Sequence, residues 1–186
     1  MSVSDDKELP DLRGIRAPRH PGVSNAVCEA LSEAAEVCLS RHHAPPRTSF
    51  QVEFSGEQLV RYLTWSNPNE TAQLSWHNRD DATRDGAYII SLSIVEHELG
   101  MVALSRADTR TGADYYVGLA NANDLEGAFR LEVSGVGGGG QAEIRRRLRQ
   151  KLDQASRGDS FLPAYASVVG FREATILVSP VEDSSG

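Results

Sequence analysis

Apolar residues recur along the chain with two different periods, and the periods divide it into helices and strands. Between residues 23 and 41, Val27, Ala30, Leu31, Ala34 and Cys38 return every three or four positions, the spacing that gathers side chains on one face of an α-helix. Glu29, Glu33 and Glu36 are expected towards water, and Ser24 or Asn25 is expected to cap the helix. Residues 48–55 and 59–66 alternate with period two around Gly56-Glu57-Gln58, which predicts a hairpin. Asn67-Pro68-Asn69 breaks the chain, and residues 73–76 read equally as a short strand or an irregular link. A long helix is predicted from Asp80 or Asp81 to Leu99, with Gly100 as its stop; residues 87–95 are apolar on nearly every side and should pack deeply against a sheet. Residues 101–107, 113–119, 128–134, 165–171 and 175–181 read as strands, the last two as a terminal hairpin, and residues 141–157 as a helix buried along Ile144, Leu148, Leu152 and Ala155.

Two of these strands carry an acid on the side opposite their apolar residues. Side chains alternate along a strand, so Ala113, Tyr115 and Val117 share one face while Asp114, Tyr116 and Gly118 share the other; Phe129, Leu131 and Val133 oppose Arg130, Glu132 and Ser134 in the same way. A hairpin with its loop centred near Asn123 puts Asp114 opposite Glu132 and Tyr116 opposite Arg130. Like charges directly opposed destabilise a strand pair. A divalent cation, a nearby arginine or lysine, or a raised pKa on one acid would offset the repulsion.

The remaining patterning sets limits. With 186 residues, 40% of them hydrophobic, the chain can bury one core, and residues 22–182 are read as a single mixed α/β domain, a central sheet flanked by helices. Residues 1–21, with Pro10, Pro18 and Pro21 and no apolar period, are expected to form a disordered arm able to dock a protein partner, and residues 183–186 a tail. A net charge of −7 repels polyanions overall, so any nucleic-acid contact needs a local basic patch. The dense one is on the helix of residues 141–157, where Arg145, Arg146, Arg147, Arg149 and Lys151 surround the apolar stripe; a solvated helix face and a phosphate-contacting face both fit. The glycines of residues 135–140 end in no Lys-Ser or Lys-Thr pair and are read as a flexible connection. His42 and His43 are read as surface residues at a helix end. No apolar run of membrane-spanning length and no secretory leader is found, so a cytoplasmic protein without membrane contact is expected, and Cys28 and Cys38 are too far apart along one helix to bridge.

The order helix, strand, Asp-bearing strand, Glu-bearing strand, helix, strand resembles the core of the PD-(D/E)XK nuclease superfamily, the restriction-endonuclease-like fold. Thr111-Gly112-Ala113-Asp114 matches the family's first element and Glu132-Val133-Ser134 the place of its Glu-x-Lys, with Asp85 or Glu96 as the helical acid. The chain also resembles a group of small, uncharacterised bacterial proteins sharing a Gly-Ala-Tyr helix, a Thr-Gly-x-Asp-Tyr strand and a Leu-Glu-Val-Ser-Gly strand; that likeness covers residues 80–180 and implies no activity. Ser134 stands where the family has lysine, and serine cannot be the cation that steadies developing phosphorane charge.

The superfamily resemblance implies Mg²⁺-assisted phosphodiester hydrolysis, with Asp114, Glu132 and the Val133 carbonyl as metal ligands, Asp85 as a further acid, and Lys151 or Arg145 supplying the relocated cation. Arg145, Arg146 and Arg149 would contact nucleic acid. Replacing Asp114 by Asn would then abolish cleavage while leaving, or even raising, stability by removing a charge clash. The alternative is a catalytically inactive binding or adaptor component on the same scaffold, as in a bacterial defence or conflict system. A third reading leaves Asp114 and Glu132 merely paired with Arg130 or the basic helix.

Overall fold

The computed structural model describes residues 7–121, 125–158 and 161–182. Helices α1 (Asn25–Ser40), α2 (Glu70–Ser75), α3 (Arg79–Leu99) and α4 (Gln141–Ser156) accompany strands β1 (Arg47–Phe54), β2 (Glu57–Thr64), β3 (Met101–Arg106), β4 (Tyr115–Leu119), β5 (Phe129–Val136), β6 (Ala164–Gly170) and β7 (Thr175–Pro180). The strands form one mixed sheet in the order β2-β1-β7-β6-β5-β4-β3. Hairpins make β1–β2, β3–β4, β4–β5 and β6–β7 antiparallel, while β5 and β6, joined through α4, run parallel, as do β1 and β7. This is the mixed α/β class expected from the patterning.

Local chemistry accounts for the element ends. Ser24 accepts the Val27 N–H and so caps α1; Asn69 does the same for α2, which occupies the stretch left open as strand or link. Asn78, two residues ahead of the expected aspartates, takes the N–H groups of Asp80 and Asp81 to begin α3, and Gly100 ends it in the left-handed region at φ 66°. The β1–β2 turn is the two residues Ser55 and Gly56, both at positive φ.

The main core lies between the sheet and helices α1 and α3, with Phe50, Leu63, Ile89, Ile90, Leu131 and Phe171 fully enclosed. A smaller cluster seats α4 on the opposite sheet face through Ile144 and Leu148 against Ala166, Val168 and Leu177. Inward residues of β4 and β5 therefore face α3, and the polar side of β5 faces α4, as the alternation requires. Among the described residues no helix is long and apolar enough to cross a membrane. Cys28 and Cys38 are buried and unbridged.

Two expectations are corrected here. Residues 7–21 pack onto the domain instead of forming a loose arm: Leu9, Leu12 and Ile15 are buried, and the Leu9 N–H donates to the Tyr62 carbonyl at the edge of β2. The fully enclosed His20 accepts the Ala103 N–H and meets Glu96 at 2.8 Å. This stretch joins the core through a few anchors between prolines, too irregular for a periodic signal. Consequently it is not a free arm for docking a partner; residues 1–6 lie outside the described residues, as do Asn123, the expected loop centre, and the tail at 183–186. Glu36, expected in water, is also buried, because Arg13 from the same segment reaches it at 2.7 Å.

Candidate active site

Asp114 and Glu132 come together where β4 begins and β5 runs past it. The register pairs Tyr115 with Leu131 and Tyr116 with Arg130, as a hairpin of that length demands. Asp114 stands just before β4, and its own N–H donates to the Leu131 carbonyl at 2.8 Å, so two successive residues address one partner as in a β-bulge. Beyond this point no strand among the described residues pairs with β5 on that edge. The Asp114 carboxylate fills the gap: Oδ2 accepts the Val133 N–H at 2.8 Å and Oδ1 accepts the Tyr88 hydroxyl at 2.9 Å.

Glu132 is 2% exposed. Burial, then the charge of Asp114 and a hydrogen bond with it, hold the Glu132 carboxyl above the usual carboxylate range. The opposing influence comes from α4, where Lys151 Nζ lies 2.5 Å from Glu132 Oε1 and is mostly shielded from solvent. Of the three ways to offset the acid pair's repulsion, a nearby lysine and a raised pKa are therefore both present. Burial also pushes the Tyr88 phenol to about 12, helped by the Asp114 charge, so it remains a donor across the physiological range. The Arg106 guanidinium lies over the Tyr88 and Tyr115 rings at 4.7 and 4.6 Å from their centres.

Arg130, the other buried charge on β5, does not serve the acids through its described bonds. It donates to the Leu162, Thr111 and Ala155 carbonyls, tying the start of β4 to the end of α4. Arg145 pairs with Glu53 on β1, Arg146 with Glu143 on its own helix, and Arg149 is exposed; none of the three lines the space beside Asp114. Asp85 pairs with Arg84, and Glu96 belongs to His20 and Arg19 further along α3. Among the described residues no three His, Cys, Asp or Glu side chains are grouped to hold a metal. The acids brought together are Asp114 and Glu132.

Asp114 lines two cavities. One of about 370 Å³ includes Arg106, Glu132, Gln154 and Arg157 in its wall. The other, about 570 Å³, is bounded by Val133 and the glycine-rich link after β5, by the start of α3 through Arg79, Thr83 and Arg84, by Arg41 and His42 after α1, and by Arg147 and Lys151 of α4. The glycine-rich link is more ordered than a flexible connection. Gly135 and Val136 continue β5, and a Cβ on Gly135 would lie 2.4 Å from the Thr83 carbonyl oxygen, so α3 can approach the strand only where that side chain is missing.

Sequence reasoning overlooked Tyr88, Arg79, Arg84 and the role of Arg147. A signal existed for Arg147 and Lys151: they sit at i and i+4, one position before Leu148 and Leu152, and so flank the buried stripe on one side. Arg41, just after α1, and the arginines of α3 left no such trace. Neither a protein-family model nor a curated protein nor a solved structure matches this chain.

Proposed function

We propose that the chain is a metal-dependent phosphodiester hydrolase of the nuclease-like kind, with Asp114 and Glu132 as its acid pair and Lys151 in place of the lysine missing at Ser134. The observation that carries this reading is the convergence of those three side chains at one edge of β5, beside a cavity rich in arginine. The succession α3-β3-β4-β5-α4-β6 also supports it, since it follows the order of the resemblance.

The donor set suits Mg²⁺. Asp114 and Glu132 offer hard carboxylate oxygens, and because a residue's N–H and C=O leave the same edge of a strand, the Val133 carbonyl points the way its N–H does, towards Asp114. When bound, the ion supplies a Lewis acid and lowers the pKa of a coordinated water. The protein's own groups do the rest. Tyr88 and the Val133 N–H fix the orientation of Asp114. Lys151, held on Glu132 and lining the larger cavity, would supply the positive charge that steadies a phosphoryl oxygen as it gains negative charge.

A second reading, a binding or adaptor component without catalysis, is favoured by one observation: both Asp114 oxygens already accept hydrogen bonds from the protein. Cleavage of single- and double-stranded DNA and RNA with Mg²⁺ or Mn²⁺ separates the two. Hydrolysis in the wild type that falls by about 100-fold or more in Lys151→Met and Glu132→Gln supports the enzyme. Absence of divalent-dependent cleavage on every substrate, with nucleic acid still bound, supports the second reading.

A further inference from the structure

Of the two cavities that Asp114 lines, the smaller, about 370 Å³, has both acids in its wall, whereas the larger has Asp114 without Glu132. The other charged residues of the smaller wall are Arg106, Asp108, Arg110 and Arg157. Glu132 already has Lys151 as its cation, and none of the three arginines enters an ion pair among the described residues. Elsewhere the pairing is different: Arg13, Arg61 and Arg84 each hold a carboxylate.

Arg106 is anchored by the fold. It ends β3 opposite Tyr115, and the N–H of the next residue, Ala107, donates to the Asp114 carbonyl at 3.0 Å. Its guanidinium lies over the Tyr88 and Tyr115 rings, which meet edge to face at 5.8 Å, and Tyr88 is the residue that donates to Asp114. Stacking uses the flat face of a guanidinium, while the N–H groups project from its edge. The two phenols reached from that edge cannot occupy every donor. An arginine already held in place loses little freedom on meeting an anion, and its fork fits two oxygens of one phosphate.

Arg47 supplies the contrast. At the start of β1 its guanidinium also lies over a tyrosine ring, 3.9 Å from the centre of Tyr62, but Glu8 completes it as an ion pair. Arg106 has the aromatic support without the carboxylate. What faces it is a cavity shared with the two acids, and a phosphate drawn to those acids by a cation would meet Arg106 there.

We propose that a nucleic-acid strand enters through the smaller cavity and that Arg106 grips one of its phosphates beside the acid pair. The identity of the bound group as a nucleic-acid phosphate rests on the nuclease-like reading above. Arg106 is then a substrate-gripping residue, separate from Lys151, which is held on Glu132 and lines the larger cavity.

The test measures binding of the full chain in EDTA, where no metal-assisted cut intervenes. Fluorescence anisotropy follows short single-stranded DNA, single-stranded RNA and duplex DNA over a range of salt concentrations. Arg106→Met keeps a cover over the two rings and removes the charge. It should weaken binding of at least one probe about tenfold at low salt and reduce the slope of log affinity against log salt by about 0.7 for a single strand or about 0.9 for the duplex. Arg106→Lys should keep the slope and lose part of the affinity, since lysine retains the charge without the fork. Arg47→Met, which removes an equally stacked arginine at the other side of the sheet, should bind as the wild type does.

No binding of any probe by the wild type, an unchanged Arg106→Met, a slope reduced as much in Arg106→Lys, or an equal loss in Arg47→Met each overturns the proposal. The same variants are then assayed with Mg²⁺. Wild-type cleavage that persists undiminished in Arg106→Met removes the role of Arg106 alone. Binding that depends on Arg106 without any divalent-dependent cleavage keeps that role and removes the hydrolytic reading.

Discussion

The Asp114 carboxylate completes the β5 edge by accepting the Val133 N–H at 2.8 Å, a place where a strand neighbour would otherwise have supplied a carbonyl. Its other oxygen accepts from Tyr88. Asp114 is thus structural as well as a candidate ligand, and replacement by Asn should not be silent. An amide keeps one acceptor oxygen and turns an NH₂ group towards one of the two donors. Asp114→Asn should therefore lose about 1–3 kcal/mol of stability in chemical denaturation, partly offset by relief of the repulsion on Glu132. This reverses the expectation drawn from charge clash alone. A variant as stable as the wild type would show that these two hydrogen bonds contribute little.

Glu132 should make stability fall as pH rises. Its folded pKa lies above the unfolded value of about 4.3, chiefly through burial. Below that value both states are protonated and the penalty is absent. As pH climbs, the unfolded chain ionises first, and stability declines until the folded pKa is passed. Glu132→Gln removes this titration, so its thermal midpoint relative to wild type should be lowest near pH 4, rise with pH, and level off once the folded pKa is passed. A difference that does not change between pH 4 and 8 would contradict the raised pKa.

Arg13 and Glu36 join the amino-terminal segment to α1. Burial holds the Glu36 carboxyl above the usual range despite Arg13, so removing the arginine leaves a buried acid without its cation. Arg13 is itself partly exposed, which limits the loss. Arg13→Ala should cost about 1–3 kcal/mol, less than the loss of one partner from a fully buried pair, and Glu36→Gln in the same chain should recover part of it. Chemical denaturation of the single and double variants measures this coupling. Additive effects would mean the contact is energetically idle.

Gly86 lies inside α3, where alanine ordinarily gains about 1 kcal/mol over glycine. Here a Cβ would fall 2.8 Å from the Ala35 Cα of α1. The close contact should outweigh propensity, making Gly86→Ala destabilising by about 1–3 kcal/mol in denaturant titration. A gain in stability would show that α1 and α3 can separate at little cost.

Much of the architecture was legible because its signals are local. Period-two alternation in residues 113–119 and 128–134 and the length of their connection suffice to oppose Tyr116 to Arg130 and to bring Asp114 beside Glu132. The buried stripe of α4 and the glycine stop of α3 are equally local consequences of helix geometry. The cation beside Glu132 is different. Five basic residues crowd residues 145–151, and which one meets the acid depends on how α4 rolls against β5 and β6, set by Ile144 and Leu148.

The sequence by itself determined the elements other than α2, the faces of the strands and the nearness of the two acids, since each follows from repeat distances and the length of one connection. Tertiary packing alone decided that residues 7–21 enter the core, that Lys151 serves Glu132, and that Arg41 and arginines of α3 and α4 line one cavity. Those contacts join residues far apart in the chain, and no repeat distance encodes where two helices come to rest on a sheet.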